Sequence, residues 1–297
     1  MRVPLRWFLF SCHALFPGVM TEGTTAGFQE VLKQSADHWA FQPIRMSKLT
    51  EKPSTTQAID FLVGKRLSSQ NLTPSPSAHR KTLIRRLYHD LHGLKPSYEK
   101  IQAFIKDPHP RAYTNLVDEL LASPRFGERW GRHWLDVARY ADTKGYLAGG
   151  ESRAYPYAYT YRDWVIKALN KDLPYDEFIR KQLAADFITD QPNHTDLAAL
   201  GFLTVGPVFL NRRQLIIDDR IDLVTRGLMG FTVACARCHD HFHDPIPTDD
   251  YYSLYGIFDA SDKPAKFPLI GKPDANSTAY IEFKKKLNEW KISSSSS

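Results

Sequence analysis

Apolar residues recur at helical spacing along most of the chain, and strict alternation of apolar and polar residues is almost absent. Two stripes at three- and four-residue steps predict the first clear helices: Ile59, Leu62, Val63 and Leu67, then Leu83, Ile84, Leu87 and Leu91. Similar spacing predicts helices over 97–105, 110–121, 161–169, 174–183, 197–203, 249–258 and 280–292. In the helix over 249–258, Tyr252, Tyr255 and Phe258 are expected to face inward. The fold class predicted is mainly α, an irregular multi-helix domain with long aromatic-rich loops.

Segment 124–143 adds a stripe that combines tryptophans with a polar row. Its apolar positions are Trp130, Trp134, Val137, Ala138 and Ala141. Beside them lie His133, Asp136 and Tyr140, each three or four residues from the next. A carboxylate that orients an imidazole is the usual support of a metal-bound histidine. The alternative is an ion-pair network, in which Arg129, Arg132 and Arg139 neutralise Asp136 and Asp142.

Changes in composition divide the chain into four parts. Arg2 and Arg6 precede a short apolar segment, so residues 1–27 are expected to be an export signal. Residues 28–57 are expected to form an extended arm and linker, with 58–261 as the helical domain and 262–297 as a basic tail with a disordered serine end. The protein is therefore expected in the periplasm or at the cell surface. The alternative is an amphipathic start of a cytosolic protein.

Composition narrows the class of protein further. The 297 residues are 42% hydrophobic, enough to bury a sizeable core, and the net charge of +6 is spread along the chain. That dispersed charge does not indicate nucleic-acid binding. Only three cysteines occur, which excludes a disulfide-dense scaffold, and no apolar run reaches the length of a transmembrane span.

The pentapeptide Cys235-Ala236-Arg237-Cys238-His239 has the spacing used to attach haem c. Each thiol can add to one haem vinyl group, and the adjacent imidazole can bind the iron. The preceding apolar residues Ile221, Val224, Leu228 and Phe231 follow helical spacing that Cys235 continues. If that helix persists for one more turn, Cys235, Cys238 and His239 share one face.

The residues after the motif keep two other interpretations open. Zinc could be bound by the two cysteines with two of His239, His241 and His243, and Asp240, Asp244 or Asp136 could then act as a general base in hydrolysis. A third interpretation is a plain disulfide between Cys235 and Cys238 in an exported binding domain. Whether the protein is an enzyme stays open at this point.

A haem would also need an apolar pocket and usually a second axial ligand. Trp130, Trp134 and Phe231 could supply the pocket. No methionine follows Met229, so a thioether ligand is not expected. The remaining candidates are His133, then His241, or an open position.

Several longer stretches, together with the pentapeptide, resemble the planctomycete cytochrome-C-like domain family. The matching stretches are 37–43, 58–61, 83–87, 127–143, 159–164, 174–176, 201–203, 222–226 and 235–258. The resemblance implies a haem-binding or electron-transfer role, with a redox partner or companion domains supplied in trans. Family members commonly have lysine and an aromatic residue after the second histidine, whereas this chain has Phe242 and His243.

Overall fold

The computed structural model describes residues 26–43, 54–147, 152–189, 194–262, 264, 267–271 and 274–295. Within these residues regular structure is helical, with one isolated bridge between Thr143 and Ala154 in place of a sheet. The helices are α1 (Ala26–Ala36), α2 (Thr55–Ser69), α3 (Arg80–His92), α4 (Tyr98–Lys106), α5 (Ala112–Leu121), α6 (Pro124–Val137), α7 (Ala158–Asn170), α8 (Tyr175–Ile188), α9 (Gly201–Thr204), α10 (Arg213–Val224), α11 (Thr248–Asp259) and α12 (Thr278–Ser295). The predicted mainly α class is confirmed.

Local capping explains where several helices begin. Ser54 and Gln57 form a reciprocal capping box at α2. Ser97 caps α4 by accepting the amide of Lys100, and Ser123 caps α6 directly before Pro124. Proline suits that first helical position because its missing N–H would have no partner inside the helix.

Two segments differ from the predicted outline, and others lie outside the described residues. Residues 28–36, expected to belong to an extended arm, lie in helix α1 (Ala26–Ala36). Helix α12 runs through Ser295 and so includes serines that the sequence placed in a disordered end. Residues 1–25 of the expected signal segment 1–27 lie outside the described residues, and so do residues 44–53 of the expected arm and linker 28–57. Among the helices that the structure describes, none combines the length and apolar character needed to cross a membrane.

The chain divides into two compact units. Within the described residues, the first contains those up to Arg86, Pro96–Asp107 and Phe231–Ile257, and the second contains Leu87–Lys95, those over 108–230 and those from Phe258 onwards. The cysteine motif therefore belongs to the first unit, and α6 with His133 belongs to the second.

The core of the second unit is built on close contact between α6 and α7. Gly127 and Gly131 are buried on α6, and a Cβ atom at Gly127 would lie 2.5 Å from the carbonyl oxygen of Ile166. The buried face of α6 consists of Gly127, Gly131 and Leu135, continued by Ala138. The predicted stripe was wrong in part, because Trp130 and Val137 are exposed.

A buried amide links three helices of this unit. Gln182 on α8 is fully buried, and its Oε1 accepts from Trp134 Nε1 (2.7 Å) and from the Tyr161 hydroxyl (2.7 Å). Its Nε2 donates to the carbonyl of Phe178 at 3.1 Å. The buried polar atoms of Trp134, Tyr161 and Gln182 are thus satisfied by one another and by the Phe178 carbonyl.

A charged pair follows α6 directly. Arg139 has a left-handed backbone (φ 55°), and its side chain forms an ion pair with Asp219 of α10. Burial lowers the pKa of Arg139 to about 10, and the nearby Asp222 carboxylate offsets part of that effect. The expected network around α6 therefore exists in part, with Asp219 as the partner of Arg139.

Candidate functional site

The helix that precedes the cysteine motif ends before reaching it. Helix α10 passes into a π turn over Thr225–Met229, and Gly230 closes this turn with a left-handed backbone (φ 76°). The expectation that the helix continues to Cys235 is wrong. Glycine just after a helical stripe is a common stop signal, so the boundary was readable at Gly230.

The motif itself forms a short 3₁₀ turn over Ala234–Arg237. The Ala236 amide donates to the Val233 carbonyl (2.9 Å), and the Cys238 amide donates to the Cys235 carbonyl (3.2 Å). Ala236 is fully buried, whereas Cys235 and Cys238 are exposed free thiols. The turn therefore anchors itself through its alanine and leaves both sulfur atoms accessible.

His239 has a defined ring orientation although its side chain is exposed. Its Nδ1 lies 2.8 Å from the carbonyl oxygen of Asp240. Because a carbonyl only accepts, Nδ1 must carry the proton, and the lone pair of the neutral ring lies on Nε2. The Phe242 ring packs against the imidazole, with centroids 4.4 Å apart.

His241 has the opposite arrangement. It is buried, and its Nδ1 accepts from the backbone amide of Asp244 at 2.9 Å. The Asp244 carboxylate is also 3.3 Å from Nδ1, but the closer amide contact fixes that nitrogen as an acceptor in the neutral ring. The proton then lies on Nε2, so His241 stabilises the loop. His243 is exposed, and its amide lies 3.4 Å from the same Nδ1.

Two hydrogen bonds connect the motif to α11. The Asp240 carboxylate accepts from the amide of Thr248, the first residue of the helix, at 3.0 Å. The Tyr252 hydroxyl donates to the Arg237 carbonyl at 3.1 Å. Tyr252 was expected to face inward, but it is 52% exposed and Tyr251 is the buried residue. Nothing in the local sequence indicates this role of Tyr252.

Phe231, four residues before Cys235, makes an aromatic contact within the first unit. The ring of Phe41 stacks on Phe231 at 5.9 Å with an interplanar angle of 10°. Trp39, two residues before Phe41, is exposed. Phe231 is thus partly covered by the arm.

His133 belongs to an apolar groove in the second unit. The groove has a volume of about 320 Å³ and is lined by Trp130, His133, Trp134, Val137, Ala168, Leu169, Leu173, Tyr175 and Phe178. The ring of His133 packs edge-on against Trp130 at 5.6 Å. His133 is therefore held by aromatic contact.

The predicted row beside His133 is not a continuous hydrogen-bond network. Asp136 pairs with Arg132 at 3.1 Å, which fits the ion-pair alternative. The Tyr140 hydroxyl donates to Asp142 at 2.8 Å. Burial and this hydrogen bond together raise the pKa of Tyr140 to about 12.

No three histidine, cysteine, aspartate or glutamate side chains converge as a metal-binding group within the described residues. In the loop over residues 240–247, the Asp240 carboxylate and Nδ1 of His241 accept backbone amides, and the Asp244 carboxylate lies 3.3 Å from that same Nδ1. The exposed groups there include the two thiols, the His239 ring with its Nε2, and the His243 ring.

Comparison with known proteins identifies a family and no characterised relative. Neither the curated proteins nor the solved structures contain a match to this chain. A family model described as PSCyt2, protein of unknown function (DUF1549), matches residues 58–263. That match covers more than half of the chain and includes the cysteine motif, α6 and α11. The chain belongs to the PSCyt2 family of proteins of unknown function.

Proposed function

We propose that this protein is an exported c-type haem protein, in which Cys235 and Cys238 hold haem covalently and His239 binds its iron. Its role is electron transfer or redox support within a larger assembly, with a redox partner or companion domain supplied in trans. The observation that carries the proposal concerns the thiols of Cys235 and Cys238 and the ring of His239. Both thiols are free and exposed, and the His239 ring has its Nε2 lone pair directed away from its own hydrogen bond.

The thiols suit covalent attachment. Addition of an S–H across a vinyl group forms one C–S bond and transfers the proton to the other vinyl carbon, so it needs no oxidant. Such a reaction requires reduced, accessible sulfur, and both cysteines meet this condition.

His239 suits axial ligation for a separate reason. A ligating histidine usually donates its other ring N–H to a carbonyl or carboxylate, which fixes the tautomer and the ring plane. The hydrogen bond from Nδ1 to the Asp240 carbonyl provides this support within the loop. The bound haem would supply one-electron iron chemistry.

Of the candidate second ligands, His241 is the less suitable. Its Nδ1 accepts a backbone amide, so ligation through Nε2 would require the ring to lose its remaining proton or the loop to rearrange. His133, held against Trp130, and an open position remain as proposals.

Zinc is less well supported than haem. Four donors would have to converge around zinc, and the described residues show no group of three. The Asp240 carboxylate and Nδ1 of His241 already accept backbone amides within the loop.

The test is expression in a host with a haem c maturation system. We expect a Soret band that survives denaturation, and a protein mass increased by one covalently bound haem. The Cys235→Ser and Cys238→Ser double variant should lose both signals, while Ser253→Ala, an exposed change on α11, should keep them. Elemental analysis would identify zinc instead. Wild-type protein that carries stoichiometric zinc and no haem would contradict the proposal.

A further inference from the structure

Helix α11 is connected to the ring of His239 through one residue. The Thr248 amide, at the start of α11, donates to the Asp240 carboxylate at 3.0 Å. The backbone carbonyl of the same Asp240 accepts from His239 Nδ1 at 2.8 Å. Asp240 thus makes one contact with the helix through its side chain and another with the imidazole through its main chain.

We infer that Asp240 is a positioning residue, which uses the N-terminus of α11 to hold the His239 ring in its Nδ1–H tautomer. This inference rests on the proposed function only in that the freed Nε2 is the atom offered to iron. It gives Asp240 a different role from the general base considered for a zinc site.

Three features of α11 make it a suitable anchor. It has twelve residues, and Pro247, directly before it, has no backbone N–H group that needs a hydrogen-bond partner. The first amide of a helix has no partner inside the helix, and a carboxylate there is favoured by the helix dipole. The buried Tyr251 in its first turn fixes the helix within its unit. A carbonyl held by such a helix has a more fixed direction than one in a free loop.

The His239 hydrogen bond is itself exposed, so water competes for it. Without the contact to Thr248, the Asp240 peptide could rotate and its carbonyl would no longer face Nδ1. The proton would then distribute between the two ring nitrogens according to solvent. The tautomer ratio of His239 therefore reports directly on the contact, with or without haem.

The experiment measures the tautomer of His239 by ¹⁵N NMR in the haem-free, full-length protein, in mildly alkaline buffer where free imidazole is neutral. We expect mainly Nδ1–H in the wild type. Asp240→Ala removes the acceptor, and Thr248→Pro removes the donor at a first helical position where proline is tolerated. Each should lower the ratio of Nδ1–H to Nε2–H by roughly two- to tenfold, the range expected for one hydrogen bond.

Two variants serve as controls. Asp240→Asn keeps an acceptor oxygen and should retain the wild-type ratio. Asp249→Ala removes the same charge from the first turn of the same helix without touching Asp240, and should also retain it. Should Asp240→Ala fail to fold, Thr248→Pro provides the same comparison from the other side.

The inference is overturned if the ratio is unchanged in Asp240→Ala and Thr248→Pro. It is also overturned if Asp249→Ala shifts the ratio equally, because the effect would then be one of charge, or if Asp240→Asn behaves like Asp240→Ala. A wild-type protein that never attaches haem would refute the proposed function and leave these tautomer results intact. The two failures are therefore distinguishable.

Discussion

His239 and His241 are two residues apart, yet their Nδ1 atoms have opposite hydrogen-bonding roles. Nδ1 of His239 faces a carbonyl oxygen, and Nδ1 of His241 faces a backbone amide. The neutral rings therefore carry their protons on different nitrogens. Residue type marked both as candidate ligands, but the backbone around each makes His239 the one with an available Nε2.

Asp196 illustrates how burial and pairing compete at one carboxylate. Burial alone would raise its pKa, but hydrogen bonds from Trp164 Nε1 (2.9 Å) and Lys181 Nζ outweigh burial, and the net pKa is lowered. A lowered folded pKa gives stability that is present above the unfolded pKa and is lost as pH falls through the folded value.

We predict that Asp196→Asn costs about 1–3 kcal/mol of unfolding free energy at neutral pH, the range for a hydrogen bond with a charged partner. The difference from the wild type should shrink in strongly acidic buffer, because the wild-type carboxyl is then protonated too. Urea unfolding at the two pH values measures it. Asp176→Asn, in an exposed pair with Arg180, is the control and should change stability little. A difference that does not depend on pH would contradict the prediction.

The motif residues were predictable because they lie within five consecutive positions of the sequence. Cys235, Cys238 and His239 are recognisable from spacing alone. The contact of Asp240 with Thr248 joins residues eight positions apart across a turn, and the contact of Tyr252 with Arg237 joins residues fifteen apart. Neither has a periodic signature, so the pairings became visible only with the folded backbone.

At the scale of elements, Gly230 decides where the helix before the motif ends. Its left-handed backbone costs glycine nothing, whereas an L-residue pays about 1–2 kcal/mol there. Of the predicted stripe, Ile221 and Val224 lie in α10 and Leu228 lies in the π turn, but the prediction ran on past this glycine to Phe231, because a stripe of apolar residues does not itself show where a helix stops.

We predict that Gly230→Ala lowers the unfolding free energy by about 1 kcal/mol, and that Gly230→Asn lowers it less, because asparagine tolerates this conformation better. Gly256→Ala is the matched control: Gly256 lies in α11 with no positive φ and with no atom near an added Cβ. That change should be neutral or stabilising by up to about 1 kcal/mol. Urea unfolding of the three variants provides the comparison, and equal losses at positions 230 and 256 would refute the argument.

At the scale of the whole molecule, burial is unevenly distributed. The second unit contains the core around Tyr161, Phe202 and Gln182. Helix α12 lies beyond the family match, and its Ile281 and Phe283 are each 57% exposed. Helical periodicity identified α12, but it could not show whether its apolar residues are buried.

A chain ending at residue 271 should therefore keep its thermal midpoint within about 2 °C of the full-length value, because little apolar area is lost from the core. Calorimetry of both proteins measures this shift. A chain ending at 247, which also lacks α11 and the buried Tyr251, is the contrasting truncation and should lose cooperative unfolding of the first unit. A large destabilisation on removing α12 alone would show that its packing supports the fold.

The hydrogen bonds of the Gln182 side-chain amide limit which substitutions this protein can accept during evolution. Trp134, Tyr161 and Gln182 share one set of donors and acceptors, so altering any one leaves the others without a proper partner. The effects of substitutions at these positions are then not additive. These three positions, one on each of α6, α7 and α8, are therefore expected to change together during evolution. A substitution at one of them becomes acceptable only after a compensating substitution at another.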